Sequence, residues 1–371
     1  MNVRAQETDM KITVDGLEDL TRGAAFLGTG GGGDPYIGGL IARHAIEKHG
    51  PPEVIDVMDV PDDAWLYIIA GMGAPTVMIE KGLSVEAASL AVEKLESHIG
   101  HKAHAILPVE MGGLNSLVPV ALAAMRGLPV VDADGMGRAF PEIHMVTYHV
   151  YGVSTTPMVI ANEHHDFCLI EAANGKRAEE MGRALAIQMG LNVMLSAYPM
   201  TGAQAKQTAI RGTLSLACHI GRAIAEGRRT GEPTEALLAY LRTTPYYNHC
   251  AVMFEGKIID LQRETTRGFS IGRCTLAALN GSSSRMEFTF QNENLLARVD
   301  GKIKAIVPDL ICVVDQDTAE PITTEALRYG QRVKVIGTSV APSMRTPEAL
   351  EVFGPKGFGI DEPFRPIEEL F

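Results

Sequence analysis

The feature that most constrains this chain is a change of texture near residue 250. Before it, short apolar runs alternate with amphipathic helical patterns. After it, short strands of alternating polarity follow one another, punctuated by Asn280-Gly281, Asp300-Gly301, Pro308-Asp309 and Gly337, with no helix between them. The first texture is that of a largely parallel sheet with helices on both faces. The second is that of a small antiparallel barrel or sandwich. We therefore expect an α/β protein with a three-layer N-terminal domain over residues 10–250, whose sheet is mostly parallel. A smaller all-β, barrel-like domain is expected over 251–345, with an irregular tail over 346–371 packing back.

Within the first part, residues 65–75 are a continuous apolar run ending in turn residues, which suits a central strand buried on both faces. Residues 105–107 and 130–131 repeat the signal more briefly. Asp15 and Ser84 are placed to cap helices, and helical spacing returns over 85–99, 117–126, 176–189 and 203–225. Strands without intervening helices are expected at 145–151, 157–161 and 167–171. If that first strand begins at His144, then His144 and His149, five apart, would face opposite sides.

Composition excludes several classes of function. With 46% hydrophobic and 21% charged residues, the 371-residue chain is ordinary for a folded protein. A net charge of -12 opposes a phosphate backbone, and no lysine or arginine cluster offers a local exception, so nucleic acid is a poor partner. No apolar run reaches the roughly 18 residues that span a bilayer, and residues 1–9 lack a signal peptide's hydrophobic region, so a cytoplasmic protein is expected. Met10 is an alternative start to Met1. The five cysteines show no Cys-x-x-Cys spacing and read as reduced, mostly buried thiols.

Ionisable residues gather in loops that follow apolar strands, where open α/β sheets bind ligands. After Pro129-Val-Val come Asp132, Asp134, Arg138 and Glu142, with Gly135 and Gly137 at bending positions. After Ala105-Ile-Leu107 come Glu110, Gly112, Gly113 and Asn115. Either loop is a source of general bases and hydrogen-bond donors. Equally, Arg138 could pair with Asp132, Asp134 or Glu142 in a purely structural loop. Gly28-Thr-Gly-Gly-Gly-Gly-Asp-Pro35 precedes a helical pattern and offers Gly30, Gly31 and Gly32 as an anion cradle. It also matches Gly-x-Gly-x-x-Gly. The segment before it reads as helix rather than strand, and no Gly-Lys-Ser/Thr follows, so we expect no nucleotide; glycines that let backbones pack closely are the other reading. Gln291-Asn292-Glu293 sits at a strand bend in the β region, as a wall of a ligand site or a solvated hairpin. The eleven histidines form no ligand spacing such as His-Glu-x-x-His.

These stretches, with Gly71-Met-Gly-Ala-Pro75 and Pro308-Asp-Leu-Ile311, occur in an order that resembles the S-methyl thiohydantoin desulfurase family from about residue 15 to 360. The resemblance implies an N-terminal α/β domain and a C-terminal β domain. It also implies a hydrolase that replaces the S-methyl group at C2 of an S-methylated thiohydantoin with oxygen, releasing methanethiol. Zinc dependence is implied too, with no ligand positions assigned. On this reading Asp132, Asp134, Glu110 and Glu142 are candidate bases or metal ligands. Arg138 would hold an acidic substituent of a small cyclic substrate, while Asn115, the glycine-loop amides, Asn292 and Glu293 would contact it. Because such genes are often encoded beside hydantoinase or oxoprolinase genes, a non-catalytic accessory subunit of such a protein is the alternative. A homo-oligomer is expected.

Overall fold

The computed structural model describes residues 11–266 and 269–371. The strands in chain order are β1 (Val54–Ile55), β2 (Trp65–Gly73), β3 (Ala105–Pro108), β4 (Val130–Val131), β5 (Ala133–Asp134), β6 (Met158–Ala161), β7 (Phe167–Ile170), β8 (Asn192–Thr201) and β9 (Ile210–Arg211). The longer helices among them are α1 (Leu17–Leu27), α2 (Pro35–His49), α3 (Pro75–Lys81), α4 (Val85–Ile99) and α5 (Val118–Arg126). After these come α6 (Thr147–Val150), α7 (Gly175–Gln188), α8 (Gly202–Thr208), α9 (Thr213–Thr230) and α10 (Pro233–Leu241). Seven strands form one sheet in the order β1-β4-β3-β2-β8-β6-β7. The first four are mutually parallel and the last three alternate, so five of the seven run the same way. This is the mixed, mostly parallel α/β sheet that the texture before residue 250 predicts.

The second sheet is wholly antiparallel. It contains β10 (Cys250–Thr266), β11 (Phe269–Ala278), β12 (Arg285–Gln291), β13 (Glu293–Val299), β14 (Lys302–Ile306), β15 (Leu310–Asp315) and β16 (Arg332–Thr338). Their order is β14-β13-β12-β11-β10-β16-β15, a curled half-barrel rather than a closed barrel. Phe254, Ile258, Leu276, Phe288 and Val335 fill the inside of the curl. A larger core begins around β2 and β3 and continues through Leu295, Ile306, Leu310 and Ile336 of the second sheet, so apolar burial joins the two sheets. In the tail, α11 (Pro347–Phe353) and Ile367 are anchored to this body. Arg345 Nε donates to Asp309 Oδ1 at 2.9 Å, and the Ile367 amide donates to Asp309 Oδ2 at 2.8 Å.

Four local expectations are corrected. Residues 145–151 contain the short helix α6 instead of a strand, despite their β-branched and aromatic composition. The Thr147 amide and hydroxyl both donate to Gly135 O, and the Tyr148 hydroxyl donates to Pro108 O, so tertiary bonds override propensity. His144 and His149 consequently meet edge to face, with centroids 6.0 Å apart. The helix expected over 203–225 is broken in two by β9 and by Gly212, whose φ of +74° no helix accommodates. Asp15 makes no capping bond to α1; it lies in a 3-10 turn before it.

Candidate functional site

The loops after β2, β3 and β4 converge on the β12–β13 bend and on the segment around Thr324, and a cleft of about 110 Å³ opens between them. Its apolar lining includes Ala70, Met72, Val109 and Phe140. The polar lining comprises Glu110, Asn115, Glu142, Glu179, Arg183, Asn292, Glu293 and Glu325. A cleft of this size suits a small ring and is well below the usual volume for a larger ligand.

Glu110 and Glu293 reach the cleft from opposite sheets, and both are buried. Glu110 Oε1 accepts from Asn115 Nδ2 at 2.7 Å, and Oε2 accepts from the Phe140 amide at 3.2 Å. Asn115 is fixed in turn because its Oδ1 accepts from the Gly71 amide at 2.8 Å. Burial pushes the Glu110 carboxyl up to about 8, against the pull of those two bonds. Burial, followed by the nearby Glu110, lifts Glu293 well above the usual carboxylate range, while Arg138 opposes the shift. Glu293 Oε2 is buried without a hydrogen-bond partner. Burial thus raises the pKa of two carboxyls that face one small cleft, and a carboxyl that keeps its proton supplies an O–H donor. Glu142 is half-buried, with its pKa raised by burial and then by Glu179. His144 Nδ1 lies 3.4 Å from Glu142 Oε2, and burial, then His149, depresses the His144 imidazole to about 4.

Three residues singled out in the sequence are turned away from the cleft. Asp132 caps a distant helix: its Oδ1 accepts from the Leu214 and Ser215 amides of α9 at 2.9 and 3.0 Å. Its burial raises its pKa. Asp134 is fully buried, and one oxygen accepts from the amides of Met111, Met136 and Gly137 at 2.8, 3.0 and 2.7 Å, tying the two acidic loops together. Burial lifts Asp134 to about 7, opposed by the Gly137 and Met136 amides. Among the described residues, Arg138 binds no acidic group within ion-pair distance. Its guanidinium donates to the carbonyls of Ala139, Pro308, Asp309 and Asn294 at 2.9 to 3.2 Å and lies 4.6 Å over the Phe140 ring. Burial lowers its pKa to about 10, with Glu293 the largest opposing influence. These three hold the architecture around the site, because each accepts from or donates to main-chain groups, although Asp132 Oδ2 also accepts from the Ser215 hydroxyl and Asp134 Oδ1 is buried without a partner.

The glycine loop joins the two sheets. Thr29 Oγ1 donates to Ile311 O at 2.8 Å, the Asn294 amide donates to Thr29 O, and the Thr324 amide donates to Gly30 O. Gly32 lies against Gly112, backbone to backbone, and a Cβ on Gly31 would stand 2.0 Å from Glu293 Oε1. Close packing is therefore what this loop does, with Gly31 and Gly32 forming part of the cleft wall and Gly30 just behind it. Asn292, at φ +59°, shapes the bend; its Oδ1 accepts from the Ser270 amide at 2.8 Å.

Sequence reasoning missed Glu179 and Arg183. They sit four apart on α7 and look there like an ordinary surface ion pair. Among the described residues no three His, Cys, Asp or Glu side chains converge as a ligand set.

The N-terminal domain of the S-Me-THD-like proteins matches residues 15–172, and their C-terminal domain matches residues 173–367. The chain belongs to the S-Me-THD-like family. The family's division falls between β7 and α7, so β8 of the first sheet is counted with the C-terminal domain. A crystal structure of a protein from Chromobacterium violaceum is similar, with a TM-score of 0.79 and 27% identity, covering 96% of this chain and 100% of that one. No curated protein matches. Among the described residues, no helix is long and apolar enough to cross a membrane.

Proposed function

We propose that this S-Me-THD-like chain is a hydrolase of hydantoin-type rings that replaces the S-methyl group at C2 of an S-methylated thiohydantoin with an oxygen from water, releasing methanethiol. The observation that carries the reading is the facing pair of buried carboxyls, Glu110 and Glu293, whose pKa burial raises, in a cleft that also holds the more exposed Glu142. C2 of such a ring is bonded to two nitrogens and is attacked more readily when one of them is protonated. Glu110 gives its proton to the ring nitrogen as the water oxygen bonds to C2, and the Glu142 carboxylate takes a proton from that water. In the collapse the remaining hydroxyl proton returns to Glu110 and the C2–S bond breaks. The thiolate leaves with the proton held by Glu142. Both glutamates are restored, and the two protons of water end on the ring nitrogen and on sulfur. Glu293 offers its unpaired oxygen edge to the ring.

The test is turnover of an S-methylated thiohydantoin by the purified chain, followed as thiol release. Glu110→Gln, which keeps the volume but removes the transferable proton, is expected to lower kcat by about 10²- to 10⁴-fold. Undiminished turnover in that variant would overturn the assignment of Glu110. A parent chain that neither turns over nor binds such a ring would favour the accessory-subunit reading.

A further inference from the structure

Arg183 is the single cation among the described residues that line the cleft, and it is braced on three sides. Nε donates to Glu179 Oε1 at 2.6 Å, Nη2 donates to Pro141 O at 3.3 Å, and the guanidinium lies 4.5 Å over the Phe269 ring from the second sheet. Glu179 is itself fixed, since its Oε2 accepts from the Ile143 amide at 3.0 Å. Among the described residues, Nη1 enters none of these bonds and no ion pair. A planar fork held in place along one edge presents its remaining donors at little entropic cost.

Charge decides what those donors would take. The Glu179 carboxylate already offsets the positive charge of Arg183, and Glu142 and Glu325 line the same cleft. A carboxylate on the ligand would meet these acids, whereas a carbonyl oxygen adds no charge. We propose that Arg183 Nη1 binds the C4 carbonyl oxygen of the hydantoin-type ring and so turns C2 toward Glu110 and Glu142. This role rests on the reaction proposed above. It replaces the expectation that Arg138 holds an acidic substituent, for Arg138 is spent on main-chain carbonyls.

Two product-like ligands separate the possibilities. Hydantoin and imidazolidin-2-one share the ring, both N–H groups and the C2 oxygen, but the second lacks the C4 oxygen. As competitive inhibitors of the parent, hydantoin is expected to bind about ten- to a hundredfold tighter, the range for a hydrogen bond to a charged group. Arg183→Lys, which keeps a charge beside Glu179 but loses the second arm of the fork, is expected to bind the two alike. The double variant Glu179→Gln, Arg183→Gln removes both charges together, leaves neither unpaired, and is expected to do the same. If the parent turns over substrate but binds both ligands equally, or if a folded variant keeps the parent's preference, the assignment of Arg183 fails and the reaction stands. If the parent binds neither ring and turns over nothing, both fail.

Discussion

Asp134 and Glu110 are buried carboxyls on neighbouring loops, and the number of amides each receives separates their roles. Three amides converge on one oxygen of Asp134, which is a fastening. Asp134→Ala strands those donors in the core and is expected to cost roughly 3 kcal/mol or more, at about 1–3 kcal/mol for each group left unsatisfied. Urea unfolding would show a lower midpoint at unchanged slope, and an unchanged midpoint would contradict the role. Glu110 receives one amide and one side-chain donor and keeps its cleft position, with a pKa near 8 in place of the ordinary 4.5. A carboxyl whose folded pKa lies above its unfolded value binds more protons when folded. Its contribution is therefore complete below about pH 4.5 and is lost as pH rises through about 8. The melting temperature is expected to fall across that window, and to fall less steeply in Glu110→Gln. Rate should decline above about pH 8, where the acid is ionised. The acidic loops were legible in the sequence, but which acid faces the cleft was not. Asp132 and Asp134 turn away because β5 pairs with β9, a partner far along the chain that local spacing does not reveal.

Among the elements, the glycine loop shows how one sequence motif admits several readings. Its glycines read equally as an anion cradle or as close packing, and the contacts show packing against Gly112 and under Glu293. Gly31→Ala is expected to push the Glu293 carboxyl aside, because the new Cβ would fall 2.0 Å from Oε1. Since a displacement of about 1 Å at a reacting group costs on the order of 10²-fold in rate, turnover should drop by that order while the fold persists. Normal turnover in a folded Gly31→Ala chain would show that Glu293 has no part in the reaction. The parallel strands and their helices were readable from apolar runs and spacing. α6 was not, because bonds to Gly135 and Pro108 outweigh what its residues prefer alone.

At the scale of the whole molecule, the two textures of the sequence correspond to two sheets, yet beside the cleft the joint between them is buried and bonded. Trp65, the one tryptophan, stands at the start of β2 and reports on the first sheet. Its fluorescence and the far-ultraviolet circular dichroism of the whole chain are expected to change together in urea, as one transition. Two separated transitions would show that the second sheet unfolds on its own. The joint between the sheets was invisible in the sequence because Arg138 finds its acceptors more than 150 residues away. Those acceptors are peptide carbonyls, a group that every amino acid supplies. The seam therefore asks for a backbone path and not for particular side chains at positions 294, 308 and 309, so hybrids exchanging the second sheet between relatives can keep this clasp. Gly31 and Glu293 differ in this respect, because the absence of a side chain at one makes room for the carboxyl of the other. A hybrid that separates them inherits an assembled protein with a disordered centre.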